Sequence, residues 1–270
     1  MVNILRKTSD LLPAMEANYI TYFTCFAQVP YMELHSNPEI TCLASSKLPG
    51  WNTVLRTRLA PERVPARVGA ILHHFRTANR PLTWLILPTT QPADLGHYLE
   101  ASGMKPVGGQ PHMLVDLLTL PSKLSTPAGL TIERVYDRVG LNRWFQASVA
   151  GFEPSSSQAQ IYFDAYTLHT FDRQGPFLHY VGCLHGEPVT SSTLLLAAGI
   201  AGIYDVSTAP AARGHGLGTA ITLFPLLEAR ARGYRYACLQ STLKGYNLYR
   251  RLGFAEQFRE NNYRWDLTLA

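Results

Sequence analysis

Three glycines alternate in the run Arg213-Gly214-His215-Gly216-Leu217-Gly218-Thr219, and their setting suits the binding of phosphate. Before them, Ile200 to Thr208 reads as a strand: β-branched and aromatic residues recur, and no charge precedes Asp205. Pro210 ends it, because proline has no N–H to give a ladder. After them, Leu217, Ala220, Ile221, Phe224 and Leu227 recur at helical spacing. The first N–H groups of a helix have no internal partner, and the helix dipole adds partial positive charge at that end. Glycines, lacking Cβ, let an anion come close to such a backbone. Spacing excludes two other phosphate loops. A Walker loop needs lysine before its Ser/Thr, and Gly218 stands before Thr219. A dinucleotide fingerprint, G-x-G-x-x-G, fails from Gly214 and from Gly216, where Thr219 and Ile221 take the third glycine position. Its acidic residue is missing too, since the next strand, Tyr236 to Leu239, runs into Gln240.

The loop does spell R-x-x-G-x-G after a strand. One strand later, Tyr249-Arg250-Arg251-Leu252-Gly253-Phe254 spells Y-x-x-L-G-F at the end of a short helix. These two ordered motifs resemble the coenzyme A loop and the second signature of the GNAT superfamily of N-acetyltransferases, over roughly residues 128 to 270. The resemblance implies acetyl-CoA as co-substrate and direct transfer of acetyl to an amine, with no covalent acyl-enzyme. It implies cofactor contacts from Val206, Ser207, Thr208, Arg213, Gly214, His215, Gly216, Leu217, Gly218 and Thr219. In such folds the strand carrying Val206 to Thr208 parts from its neighbour, and its backbone meets the pantetheine arm and polarises the thioester carbonyl. Arg213 either pairs with phosphate or braces the loop; His215 offers its backbone N–H. Tyr249 is implied as the acid that protonates the departing thiolate, the alternative being a tyrosine packed in the core. Asp205, the one carboxylate on the central strand, is a candidate base, or else it bonds a neighbouring loop. The glutamate that many members carry earlier on that strand is absent, since Ile200 and Gly202 stand there. A water chain, Glu153 or His179 are the other sources of a base.

The elements that position these residues come in two similar halves. In the first, Thr8, Ser9 and Asp10 are cap types before a helix from Leu11 to about Ala27. Strands follow at Tyr31–Leu34, Glu39–Leu43 and Asn52–Arg58, then a helix from Val64 to Phe75. The strand Leu82–Leu87, the helix Pro92–Ser102 and the strand Met113–Leu118 complete that half. Thr119 to Gly129, with two prolines, is the predicted linker. The second half runs through the strand Leu130–Val135, the helices Arg138–Val149 and Ser157–Phe171, and the strands Leu178–Cys183 and Pro188–Leu196, into the glycine motif. Pro225 falls inside the helix after that motif, where it is expected to bend it. Gly253 and Asp266 are 13 residues apart, as are Gly103 and Asp116. Either two helix–strand units look alike by chance or the spacing marks a duplication, with domains at 1–124 and 125–270; the GNAT resemblance then implies for each a mixed, mostly antiparallel twisted sheet flanked by helices, an α/β fold. No glycine lies between Trp51 and Val64, so the first half is expected to have lost its cofactor loop. It is then expected to wall an acceptor pocket, with Trp51 and Trp84 as aromatic candidates.

Composition narrows the function classes. With 46% hydrophobic and 16% charged residues in 270, both halves can bury a core. The longest apolar run, Leu194 to Ile203, is too short for a bilayer, which takes about 20 residues. Arg6, Lys7 and Asp10 interrupt any secretory pattern. Four scattered cysteines without a C-x-x-C pair fit reduced thiols in the cytoplasm, with neither disulfide nor metal implied. A net charge of +5 suits an anionic partner such as coenzyme A. The basic residues form no long run, which argues against nucleic acid. The acceptor class left open is a small-molecule or peptide amine, acted on by a monomer or a homodimer.

Overall fold

The last strand of each half pairs in the sheet of the other half. The computed structural model describes residues 10–123, 125–154, 156–170 and 177–266. Thr8 and Ser9, two of the three predicted cap residues, lie outside these, as does Phe171. In chain order the first half contains α1 (Leu11–Thr24), β1 (Met32–Ser36), β2 (Ile40–Ser45), β3 (Thr53–Thr57), α2 (Val64–Thr77), β4 (Leu82–Ile86), α3 (Leu95–Ala101), β5 (Lys105–Gly108) and β6 (Pro111–Asp116). The second contains β7 (Leu130–Arg134), α4 (Arg138–Phe152), α5 (Ser156–Thr170), β8 (Phe177–Leu184), β9 (Glu187–Ala197), β10 (Ile200–Thr208) and α6 (Leu217–Ala231). It closes with β11 (Tyr236–Gln240), α7 (Tyr246–Arg251), β12 (Ala255–Arg259) and β13 (Asn261–Trp265).

One sheet has the order β1-β2-β3-β4-β13-β5 and the other β12-β6-β11-β10-β9-β8-β7. Within each, one parallel pair, β3 with β4 and β10 with β11, sits among antiparallel neighbours. This is the mixed, mostly antiparallel α/β architecture expected from the sequence. β6 pairs with β11 from Tyr236↔Asp116 to Gln240↔His112. β13 pairs with β4 from Asn261↔Ile86 to Trp265↔Leu82. The packing follows the exchange: Met113 and Val115 of β6 pack with Ala237, Leu239 and Leu226, while Tyr263 and Trp265 of β13 pack with Trp84 and Leu82.

The compact units therefore follow a different line from 1–124 and 125–270. The unit that carries the glycine loop joins the described residues up to Tyr19 to His112–Gln257. The other joins Ile20–Pro111 to the described residues from Phe258 onward. The start of the predicted linker belongs to the first of these. Arg230 of α6 donates to the carbonyls of Leu117 (3.2 Å), Leu120 (2.9 Å) and Pro121 (3.1 Å), and Leu117 and Leu120 are core residues.

Pro225 leaves α6 a single helix, with a compensation from the sheet. Proline has no N–H for the carbonyl four residues earlier, which here is that of Ile221. The buried Ser192 hydroxyl of β9 donates to that carbonyl at 2.8 Å. Asp137 caps α4 by accepting from the Gly140 N–H at 2.7 Å. Trp51 and Trp84 are both interior, Trp84 fully buried with its indole N–H on the Thr57 hydroxyl at 2.9 Å. Their side chains hold the core of their unit and do not line a surface.

Candidate active site

β10 and β11 pair at only two positions, Ala201↔Ala237 and Gly202↔Cys238. Beyond these the two strands part, and β10 continues along β9 alone. The opening begins where β10 carries a bulge between Tyr204 and Ser207. Asp205 stands in the bulge with φ 51°, a left-handed conformation that side chains with a Cβ adopt at a cost of about 1–3 kcal/mol. Hydroxyls from β9 hold the bulge. Ser191 Oγ donates to the Asp205 carbonyl at 3.1 Å and lies 2.7 Å from Ser207 Oγ, while Thr190 Oγ1 donates to the Ser207 carbonyl at 2.5 Å. Ser207 Oγ in turn donates to Ala147 of α4 at 3.0 Å. Thr190, Ser191, Ser192 and Thr193 are all fully buried, which is tolerable only because their hydroxyls find partners in the backbone and in neighbouring side chains.

The glycine loop joins β10 to α6 through a short turn at Pro210–Ala212. Gly214 (φ 83°) and Gly216 (φ 78°) are left-handed, and nothing lies within 4 Å of a Cβ built on Gly214. Gly216 caps α6 with no side-chain bond to the first turn. The N–H groups of Leu217, Gly218 and Thr219 therefore meet no capping side chain and can receive an anion. Arg213 braces the loop: its Nε donates to the Thr208 carbonyl at 3.0 Å and its Nη2 to that of Gly151 at 3.1 Å. Residues 213–216 are exposed, His215 among them.

Tyr249 sits on α7, which meets the first turn of α6 at Gly218. A Cβ on Gly218 would come within 2.9 Å of Leu248 Cδ1, so the close approach needs glycine. The Tyr249 ring is buried, 5.9 Å from that of Phe254 in an edge-on pair. Burial pushes the phenol well above its ordinary value. It thus stays protonated through neutral and mildly alkaline pH and has a proton to give. The ring belongs to the core cluster that also holds Leu239 and Phe254.

Asp205 contacts a helix. Its Oδ2 accepts from the Tyr166 hydroxyl of α5 at 2.8 Å. Tyr166 packs edge-on against Trp144 (4.9 Å) and His179 (5.4 Å). His179 is buried, with Nδ1 2.9 Å from Thr193 Oγ1. Glu153 is exposed and ends α4 with φ 52°. At Gly202 the space for a side chain is filled, because a Cβ there would lie 2.1 Å from Asn18 Oδ1 of α1. Asn18 is fully buried, donates to the carbonyls of Ala197 (3.0 Å) and Ile200 (3.2 Å), and accepts from Tyr204 (2.8 Å). Sequence reasoning missed Asn18, Tyr166 and the hydroxyl run. Four consecutive Thr/Ser residues inside a strand were a usable signal, since buried hydroxyls require partners. Asn18 and Tyr166 gave none, being ordinary residues on helices. Among the described residues no cluster of His, Cys, Asp or Glu could hold a metal ion, and no helix is long and apolar enough to cross a membrane.

The comparisons with known proteins agree with this geometry. The family model described as acetyltransferase (GNAT) family matches residues 141–254. Among curated proteins none matches the sequence. The fold is similar to a GCN5-related N-acetyltransferase from Kribbella flavida, with a TM-score of 0.68 at 19% identity over 92% of this chain and 95% of that one. A tandem GNAT protein from the clavulanic acid biosynthesis pathway aligns with a TM-score of 0.67 at 14% identity, over 96% and 94% of the two chains. A GCN5-related N-acetyltransferase from Sphaerobacter thermophilus gives 0.61 at 17% identity, over 98% and 95%. The parted strands, the glycine-led helix and the Y-x-x-L-G-F turn all fall within or beside residues 141–254, which match the GNAT acetyltransferase family model, in a chain whose fold is similar to that of a tandem GNAT protein.

Proposed function

We propose that the protein is an acetyl-CoA-dependent N-acetyltransferase that moves the acetyl group directly to an amine. The observation that carries this reading is the parting of β10 from β11 after Gly202, on the strand whose far end leads into the uncapped N-terminus of α6. The residues present fit acetyl-CoA, because the left-handed Gly214 and Gly216 shape an exposed loop whose helix N–H groups meet no capping side chain. Acetyl-CoA supplies the activated thioester. The N–H groups of Gly214 to Thr219 receive its pyrophosphate, with Arg213 holding the loop in shape. The backbone of Val206, Ser207 and Thr208 takes up the pantetheine arm and orients the carbonyl. Asp205 accepts the proton of the arriving ammonium, and Tyr249 gives its phenolic proton to the departing sulfur. The acceptor is a small-molecule or peptide amine. Residues 125–270 supply the chemistry, supported by β6. The four cysteines are free thiols, which fits a cytoplasmic protein. The protein works as a monomer or homodimer, with no nucleic-acid partner.

Release of free thiol from acetyl-CoA in the presence of a panel of amines tests the reading, with the ligand that co-purifies with the protein identified by mass spectrometry to choose the panel. Amine-dependent thiol release is expected. Tight binding of acetyl-CoA with no turnover on any amine would leave an acyl-CoA-binding or sensing module instead.

A further inference from the structure

Asp205 is held at two points. Its carbonyl accepts from Ser191 Oγ at 3.1 Å, and its carboxylate Oδ2 accepts from Tyr166 Oη at 2.8 Å. The first contact fixes the bulge and the second fixes the side chain. Tyr166 has little freedom of its own, being 4% exposed and packed edge-on against Trp144 and His179. Trp144 is anchored in turn by its indole N–H on the Ser192 carbonyl at 3.1 Å. A left-handed residue with a carboxylate, gripped from a helix by a buried phenol, costs conformational energy that a plain strand residue would avoid.

We propose that Tyr166 is a positioning residue for the acetyl transfer, its phenol setting the orientation and proton affinity of the Asp205 carboxylate at the bulge. The inference rests on Asp205 being the base. A hydrogen bond donated to a carboxylate favours its charged form. Tyr166 therefore keeps Asp205 ionised to lower pH and fixes its carboxylate on the α5 side of the bulge. Among the described residues the contacts of this site include three titratable groups, Tyr166 on α5, His179 on β8 and Tyr204 next along β10, whose hydroxyl is on Asn18. On this side α4 presents Trp144 and Ala147, and β9 presents Ser191 and Thr193, none of which titrates. Histidine titrates in a range adjoining that of a carboxylate, so the test must separate His179 from Asp205.

The experiment is the pH profile of kcat at saturating amine in the full-length protein, for wild type, Tyr166→Phe, Tyr166→3-fluorotyrosine and Asp205→Asn. Phenylalanine keeps the ring and removes the donor. The fluorinated ring keeps the packing and donates more strongly, so it reports even if the phenylalanine variant folds poorly. The acid limb should move up by about one pH unit in Tyr166→Phe and down in Tyr166→3-fluorotyrosine. In Tyr166→Phe kcat should fall about 10-fold below the limb's midpoint, with acetyl-CoA affinity unchanged within about twofold. Asp205→Asn should abolish the limb. If Asp205→Asn abolishes it while both Tyr166 variants leave it in place, the positioning role is overturned and the base reading stands. If Asp205→Asn leaves the limb in place, the base reading falls and this inference falls with it.

Discussion

The opening between β10 and β11 has a counterpart between β3 and β4, and the chain treats the two in opposite ways. Both start from a two-residue parallel ladder, Ala201↔Ala237 with Gly202↔Cys238 in one and Thr53↔Thr83 with Val54↔Trp84 in the other. Past the second ladder the chain fills its own gap. The Gln91 N–H donates to the Thr57 carbonyl and the Gln91 carbonyl accepts from the Leu59 N–H, both at 3.0 Å. The bridge Arg58↔Gln91 has no counterpart among the described residues of the other sheet. The helices that follow differ as well. α6 starts behind Gly216, whereas α2 starts behind Arg63 and carries Pro65 in its first turn, where an N–H is lost. Glu39 pairs with Arg63 and Arg67 at that end of α2. The ladder of one fork ends after Gly202, while the other fork is bridged by the Gln91 backbone. Two forks of similar design thus differ in whether main-chain bonds of the chain itself bridge them.

The comparison breaks first on stoichiometry. Calorimetric titration with acetyl-CoA should give one site per chain, and Gly216→Leu should abolish it, since φ 78° disfavours any Cβ and the strained loop would lose its shape. Two sites per chain would mean that the Gln91 backbone does not close the second fork. The next test asks whether the open fork is catalytic. Tyr249→Phe should lower kcat by about 10²–10⁴-fold with acetyl-CoA affinity held within a few fold. The loss should shrink with an acyl donor whose thiol is a better leaving group; equal losses with good and poor leaving groups would make Tyr249 a positioning group. A third test concerns which strands each fork needs. A fragment 125–270 lacks β6, so β11 loses its five antiparallel partners, and no cooperative melt is expected from it. A fragment 111–270 restores β6 and should melt cooperatively; cooperative folding of both would show that the open fork does not depend on the exchange.

The smallest effect compares the two cores. Cys42 on β2 and Cys238 on β11 are each pushed by burial from 9.0 up to about 12. Above pH 9 the unfolded chain gives up thiol protons that the folded chain keeps, so stability falls from pH 9 toward 12. The loss is about 2 kcal/mol per thiol by pH 10.5. Chemical denaturation at pH 7 and 10.5 measures it as the part of the decline that Cys42→Ala or Cys238→Ala removes, about 2 kcal/mol each, beside the share of the other buried thiols and phenols. Equal contributions would show two cores equally closed to water, leaving the forks as the point of difference. A contribution from Cys238 alone would extend the difference to the cores.

Much of this was legible in the sequence because the signals were local. R-x-x-G-x-G at Arg213–Gly218 and Y-x-x-L-G-F at Tyr249–Phe254 marked the elements that the structure brings together through Gly218 and Leu248. The regular helices and inner strands followed their apolar spacing to within a few residues. β5 and β12 escaped notice because each is an edge strand whose residues are nearly all exposed, so no alternation of apolar and polar residues marks it. The exchange of β6 and β13 was equally hidden. Alternation says that Met113 and Val115 face a core, but it does not say which sheet supplies it. The partners of Asp205 and Gly202 depend on contacts spanning 39 residues in one case and 184 in the other, and no short pattern encodes such distances.

The reciprocal placement of β6 and β13 also sets an order on synthesis. The sheet begun by Met32 to Ser36 is incomplete until Asn261 to Trp265 has been made, because β13 lies between β4 and β5. Until then β4 and β5 each carry an unpaired edge, a state that invites pairing with other chains. Contacts so distant in sequence slow folding, since the intervening chain must be ordered before they form. A growing chain of this protein therefore spends nearly its whole length in a state that favours holding by a chaperone, and a stop a few residues short of Asn261 damages the half of the molecule that was translated first.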